Sequence, residues 1–346
     1  MSHDTLSDVL RTIRLRSAVY FNVSCEGEWV AEAPASRDIA AAVMPGADHV
    51  IEYHMVTMGE CWAAVVGERP CRLKRGDIVL LPQGDPHVVS SAPDMRADAG
   101  ADAYFAMRRD QRPFRVHYAG GSEVRIEGNG SPVPMPDLAS AQTSLVCGFI
   151  GCDARPFNPL LGALPRLLHV PAERTDQWSS QLARLAVMES NRKSPGSGAV
   201  LERLSETMFV DAIRRHIDSL TEQSNGWLAG LRDRHVGRTL SLMHEQPARA
   251  WTLDALGSEV GLSRSALHQR FVELVGQPPM QYLAQWRMQL ASQLLRDTHS
   301  GIASIALDVG YDSEAAFVRA FKRLVGAPPA TWRRQLAQSA GALQRQ

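Results

Sequence analysis

Ser263-Arg-Ser-Ala-Leu-His-Gln-Arg-Phe-Val-Glu-Leu-Val-Gly-Gln-Pro-Pro279 aligns without gaps on Ser313-Glu-Ala-Ala-Phe-Val-Arg-Ala-Phe-Lys-Arg-Leu-Val-Gly-Ala-Pro-Pro329, fifty residues downstream. The serine, alanine, second phenylalanine, leucine, valine, glycine and paired prolines coincide. Read backwards from a turn glycine, each copy opens with a helix: Leu253–Val260 runs into Gly261, and Ile302–Val309 runs into Gly310. Ser263 and Ser313 can each cap the helix that follows. That helix stops at Leu-Val-Gly, where Gly276 and Gly326 suit a left-handed C-cap, and Pro-Pro bars continuation. Helix, glycine turn, helix is the grammar of a helix-turn-helix unit, here written twice in phase.

The spacing inside each unit has a physical reason. A small residue four before the turn glycine, Gly257 or Ala306, lets two helices cross closely. Leu267 with Phe271, and Phe317 with Phe321, lie at i and i+4 and form a buried stripe. The positions left outward are Arg264, Ser265, His268 and Gln269 in the first unit, and Glu314, Ala315, Val318, Arg319 and Lys322 in the second. Polar side chains near a helix N-terminus can reach base edges, and the N-terminus itself suits phosphate. A pair of helical hairpins with solvated faces is the bland alternative. Two units in phase, both ending in Gly-x-Pro-Pro, favour DNA.

Charge agrees. The chain of 346 residues is neutral overall, with 37 basic and 37 acidic side chains. From Leu231 onward there are 14 Lys/Arg against 9 Asp/Glu, a basic end that suits a polyanion.

The stretch from about Trp251 to Arg334 resembles the AraC/XylS family of bacterial transcription regulators. Tyr282-Leu-Ala-Gln-Trp-Arg-Met-Gln-Leu-Ala291 stands where that family has its central linking helix, Met280–Arg296. Ile305-Ala-Leu-Asp-Val-Gly-Tyr-Asp-Ser313 and Ala316-Phe-Val-Arg-Ala-Phe-Lys322 match its second unit. The resemblance implies two recognition helices on one side of double-stranded DNA. By motif position, Ser265, His268 and Gln269 would read bases from the first, and Glu314, Ala315 and Arg319 from the second. Ser263, Arg264, Ser313 and Lys322 would meet phosphates. Two departures stand out. Gly257 replaces the usual alanine, at about 1 kcal/mol of helix propensity. Ala315 and Val318 cannot donate hydrogen bonds, so the second helix should read few bases beyond those Arg319 contacts.

Upstream the texture differs. After a short helix at 4–15, the segments Val19–Val23, Val50–Met55, Cys61–Val66, Ile78–Leu81 and Val116–Tyr118 are apolar runs broken by turn residues, as in a β-sandwich or barrel. Gly120–Pro136 reads as a loop, with one or two strands near Thr143–Ile150. Helical periodicity follows: Leu160–Leu167, Gln177–Ser190, Ala199–Leu220 and Leu231–Met243. Packing explains these helices, and the Ala199–Leu220 face is the best place for a dimer interface.

Residues 46–90 resemble the cupin motifs. His54-Met-Val56, then Glu60, then Gly67 fits the first, with valine in place of the second histidine. Gly76-Asp-Ile-Val-Leu-Leu-Pro82-Gln-Gly84-Asp-Pro-His87 fits the second. Pro159-Leu-Leu-Gly-Ala-Leu-Pro165 and Trp227-Leu-Ala-Gly-Leu-Arg-Asp233 also fit the cupin-bearing branch of the AraC/XylS regulators. The resemblance implies an effector-sensing jelly roll, in which His54, Glu60 and His87 could hold a divalent metal, or could instead line an organic pocket. Cys25 and Cys147 offer an alternative, oxidant sensing, which needs an exposed thiolate near positive charge. Cys25 stands instead beside Glu26 and Glu28. The five cysteines are scattered and form no C-x-x-C pair, so neither a disulfide scaffold nor a zinc ribbon is expected.

The expectation is an α+β multidomain chain: a cupin-like β-barrel (jelly roll) sensor at 1–155, a helical connector at 156–226 and an all-α DNA-binding domain with two helix-turn-helix motifs at 227–346. It would act as a homodimeric, sequence-specific, non-enzymatic transcription regulator answering a small-molecule or oxidant effector. The first residues show no basic segment before an apolar run, and no stretch reaches the roughly 18 apolar residues of a membrane helix. The cytoplasm is therefore expected, without a membrane partner. The rival is a metal-dependent cupin enzyme fused to a DNA-binding tail. Stoichiometric iron with oxygen consumption on a small substrate would favour it.

Overall fold

The alternating and apolar runs become strands that pair into two sheets. The computed structural model describes residues 4–106, 114–118, 120, 124–126, 141–172, 177–190, 192, 194–221 and 223–343. Six strands lie where the runs predict: β1 (Arg16–Cys25), β3 (His49–Met58), β4 (Glu60–Val65), β6 (Ile78–Leu81), β8 (Phe114–Tyr118) and β10 (Thr143–Cys152). Five more are too short, or too mixed in sequence, to show a period: β2 (Val30–Ala33), β5 (Cys71–Lys74), β7 (His87–Ser90), β9 (Val124–Ile126) and β11 (Leu168–Val170). One sheet has the order β11-β6-β3-β10-β1-β8-β9 and the other β2-β7-β4-β5. β10 is central, paired with β1 on one side and β3 on the other, so the β domain does continue past the expected loop. Within that expected loop, Gly120–Pro136, residues Val124–Ile126 are instead strand β9, paired with β8, and apart from Gly120 the rest lies outside the described residues.

The two sheets are held by one core. Val23 and Cys25 of β1, Val56 of β3, Leu145 and Cys147 of β10 meet Cys61, Ala63, Leu73 and Val89 from the smaller sheet. This is a cupin-like pair of sheets, not a barrel closed into one ring. Tyr53, on the opposite face of β3 from its neighbours 52 and 54, bonds Ser205 Oγ of helix α6 (Ser197–Ser219) at 2.8 Å. Leu160–Leu167 is a helix only to Ala163, in α4 (Pro159–Ala163). Pro165 disfavours helical backbone before it, and the chain resumes as β11 against β6.

The chain divides into two compact units, and not at 155 and 226. Leu15–Cys152 joins Leu164–Asp218, while Met1–Arg14 and Asp153–Ala163 join Ser219–Gln346. Helix α1 (Thr5–Thr12), capped by Asp4 through Ser7 N, buries Val9 completely in this second unit. Beside it, buried Asp153 accepts from Arg14 at 3.0 and 3.2 Å and from Arg296 at 2.5 Å.

The expected helix Leu231–Met243 is two helices, α7 (Trp227–Arg232) and α8 (Arg234–Glu245). Asp233 between them is extended, and its carboxylate accepts from His235 N and Val236 N as the cap of α8. The β unit also holds α2 (Ser36–Val43), α3 (Asp102–Ala106) and α5 (Gln177–Ser190), and the helical unit continues with α9 (Leu253–Val260), α10 (Arg264–Val275), α11 (Pro279–Asp297), α12 (Ile302–Asp308), α13 (Glu314–Val325) and α14 (Pro329–Leu343). Central α11 starts on a proline whose missing N–H is harmless there. Its Tyr282 hydroxyl is completely buried, accepts from Trp227 Nε1 at 2.9 Å and bonds His244 Nε2 at 2.8 Å. Among the described residues, no helix is long and apolar enough to cross a membrane.

Candidate functional site

In the helical unit both helix-turn-helix motifs form as their spacing requires. Ser263 and Ser313 cap α10 and α13 by accepting from the backbone three residues on, each at 3.3 Å. Gly276 and Gly326 close the helices in left-handed geometry. Leu267, Phe271, Phe317 and Phe321 are fully buried. Arg264, Ser265, His268 and Gln269 are exposed on α10, as are Glu314, Ala315, Arg319 and Lys322 on α13. Val318 is the correction: it is half-buried and packs on the Phe317–Phe321 core, because its position faces the neighbouring helices.

The close crossing expected at Gly257 is present, and Arg287 adds a contact that the sequence did not show. Gly257 is no mere departure from alanine, since a Cβ there would stand 2.7 Å from the Leu262 carbonyl oxygen. Arg287 of α11 donates to the carbonyls of Pro247 and Arg249 at 2.8 and 2.9 Å, and so holds the chain that leads into the first unit. Arg270, exposed on α10, is engaged with the capping carboxylate of Asp233.

The β unit contains a cavity of about 370 Å³. Phe21, Trp29, Tyr118, Leu145 and Phe149 supply much of its wall. Glu52, His54 and His87 supply a polar end. Strand alternation puts Glu52 and His54, two apart on β3, on one face. The loop before β7 brings His87 to them. Gly84 in that loop has φ +66°, and a Cβ would collide with Ser36 and the Val50 carbonyl at 2.8–2.9 Å. That close passage lets Ser36 N donate to Gly84 O, while Ser36 Oγ donates to Glu52 Oε1 at 2.7 Å.

His54 and His87 therefore meet, Nε2 to Nε2, at 2.6 Å, but Glu60 does not join them. Its carboxylate is about half exposed and binds Arg72 at 2.6 and 2.7 Å. The chain turns at Gly59 into the other sheet, which carries Glu60 away. Glu52 takes its place, with Oε2 3.7 Å from His87 Nε2. Val56, at the missing histidine position, is fully buried in the core. Burial raises the Glu52 pKa, and burial followed by the proximity of His87 holds His54 well below the usual histidine range.

Cys25 and Cys147 are free but buried, and burial first, then neighbouring thiols, pushes both thiols up. The same causes push Cys61 up to about 12, led by burial. None of the three is a poised thiolate, which removes the physical basis expected for oxidant sensing at Cys25 and Cys147.

Comparison with known proteins covers both units. A cupin family model matches residues 4–218 and a helix-turn-helix domain model residues 256–335. An AraC-like transcription regulator of Streptomyces lividans is 32% identical over 96% of this chain and 98% of its own. The transcriptional regulator AlkR of Acinetobacter baylyi is 28% identical over 96% and 99%. Among solved structures, the C-terminal domain of the response regulator AraT from Geobacillus stearothermophilus is 28% identical, covering 30% of this chain and 86% of that one, with a TM-score of 0.29.

Proposed function

This chain belongs to the AraC-like transcription regulators, with a cupin domain ahead of an AraC-type DNA-binding domain, and from that premise we propose that its cavity binds a small, mainly apolar effector that changes operator binding. The observation that carries this reading is the cavity itself: mainly aromatic and aliphatic walls, with Glu52, His54 and His87 at one end and Glu32 and Asp98 also in the lining. Apolar walls supply affinity and a few placed polar groups fix orientation. The DNA contacts follow the exposed faces of α10 and α13, with Ser265, His268, Gln269 and Arg319 reading bases and Ser263, Arg264, Ser313 and Lys322 meeting phosphates. Glu314 and Ala315 flank the second set. Exposed Leu185 and Met188 on helix α5 (Gln177–Ser190) and Val200 on α6 support a homodimer formed through the connector helices.

The test is a screen of small aliphatic and aromatic molecules bearing one polar group, read by melting temperature and by operator affinity. At least one should raise the melting temperature of the native chain, shift its operator affinity, and do neither with Leu145→Trp, which fills the cavity. A ligand that changes operator affinity equally in the filled variant would contradict the assignment of the cavity.

A further inference from the structure

His87 Nδ1 lies 3.1 Å from the Asp85 carbonyl oxygen, which can only accept, so Nδ1 carries the proton. In the neutral ring Nε2 is then an acceptor, and His54 Nε2 fills it from 2.6 Å. His54 therefore has its proton on Nε2 and a lone pair on Nδ1, which is buried without a hydrogen-bond partner. Glu52, only 2% exposed, has Oε1 held by Ser36, while Oε2 stands 3.7 Å from His87 Nε2, too far for a hydrogen bond. Both unmatched atoms are acceptors, and both residues line the same end of the cavity. One side-chain nitrogen or oxygen from each of Glu52, His54 and His87 lies within 4.8 Å of the other two, so the three converge on a space that one head group can fill.

The charge around the cavity has one sign. Glu32 and Asp98 also line it, and among the described residues no lysine or arginine does. Glu32 is matched by Arg96 at 2.6 and 2.8 Å, whereas Glu52 has no such partner. A buried carboxylate without a counter-charge is unfavourable. The rings of Phe21, Trp29, Tyr104, Tyr118 and Phe149 line the cavity, with Trp29 and Tyr118 5.9 Å apart. Aromatic faces attract a cation as well as an apolar body.

We propose that the cavity takes a cationic amphiphile: a primary amine whose ammonium group is held by Glu52 and His54 and whose apolar body lies on the aromatic wall.

This rests on reading the cavity as the effector site, and names the chemical class which that site selects. An ammonium group brings three donors and the missing positive charge. An alcohol of the same skeleton supplies a donor without the charge. A carboxylate supplies neither, and sets a second negative charge against Glu52. The order of affinity is therefore amine, alcohol, carboxylate.

The full chain is titrated by calorimetry with octylamine, octanol and octanoate, and with phenylbutylamine, phenylbutanol and phenylbutyrate. At neutral pH both amines are cationic, as lysine is. Within each triplet the amine should bind roughly tenfold more tightly than the alcohol, and the carboxylate most weakly. Glu52→Gln keeps the shape and the Ser36 contact possible but removes the charge. It should weaken the amines roughly tenfold and the alcohols far less, so that the preference collapses. Glu60→Gln, in which the carboxylate lost is the one that binds Arg72 outside the cavity, should leave the preference intact. Leu145→Trp should abolish amine binding. Circular dichroism shows whether each variant is folded, and the order within the native triplets is a test that needs no variant. An alcohol or carboxylate that binds as tightly as its amine overturns the proposal. So does an amine preference that survives in folded Glu52→Gln, and so does the absence of amine binding. The sensor reading fails separately: an alcohol or carboxylate bound by the native chain and lost in Leu145→Trp upholds the cavity as an effector site for a different head group.

Discussion

The two helix-turn-helix units share a skeleton and differ in what they show to solvent. Each has a serine cap, a fully buried i, i+4 stripe and a glycine C-cap at equivalent positions. Their faces diverge. α10 presents His268 and the Gln269 amide, the latter hydrogen-bonded to Glu273 at 2.8 Å. On α13 the same two positions hold half-buried Val318 and exposed Arg319. The turns also differ. Gly261 has open space where a Cβ would stand, whereas a Cβ on Gly310 would meet backbone atoms of Ala248 at 2.6–2.7 Å. Duplication thus preserves what the fold needs, because core and caps answer to packing, and leaves the surface free to specialise.

The largest expected effect tests the shared skeleton. Phe271→Ala and Phe321→Ala should each destabilise the helical unit by roughly 3–5 kcal/mol, since both rings are completely buried. Denaturant unfolding checks this, and a small loss at one site alone would break the equivalence. Next come the turns. Gly310→Ala combines a left-handed backbone with a collision and should lose roughly 2–4 kcal/mol. Gly261→Ala carries the backbone strain alone, roughly 1–2 kcal/mol. Equal losses would show that the two turns are packed alike. Effects of similar size concern DNA rather than stability. Arg319→Ala should lose roughly 1–3 kcal/mol of operator affinity, concentrated at particular base pairs. Arg264→Ala should weaken all sequences alike and flatten the salt dependence. Affinity measured on single-base operator variants across a salt series separates these outcomes.

The helical unit was legible because its signals are local. Caps, turn glycines and an i, i+4 stripe lie within a dozen residues of one another, and duplication doubles each signal. Two contacts escaped that reading: the inward turn of Val318 onto the helical core, and the grip of Arg287 on the Pro247 and Arg249 carbonyls. In the β unit the motif residues His54 and His87 did converge, but the carboxylate beside them is Glu52. Period-two alternation places positions 52 and 54 on one face and could have indicated it. The exit of Glu60 depends on the turn at Gly59 and on Arg72, and spacing along the chain does not encode either. Likewise, the grouping of α1 with the C-terminal helices comes from its packing on α8 and α11, partners more than two hundred residues away in sequence.

Selection of bound sequences from random duplex DNA tests the central claim most directly. The native chain should enrich one motif with two unequal halves. His268→Ala with Gln269→Ala should erase the information in the richer half, and Arg319→Ala should erase only a few positions in the other. Enrichment of no motif, or a motif untouched by the α10 substitutions, would contradict a regulator that reads its operator chiefly through the first unit.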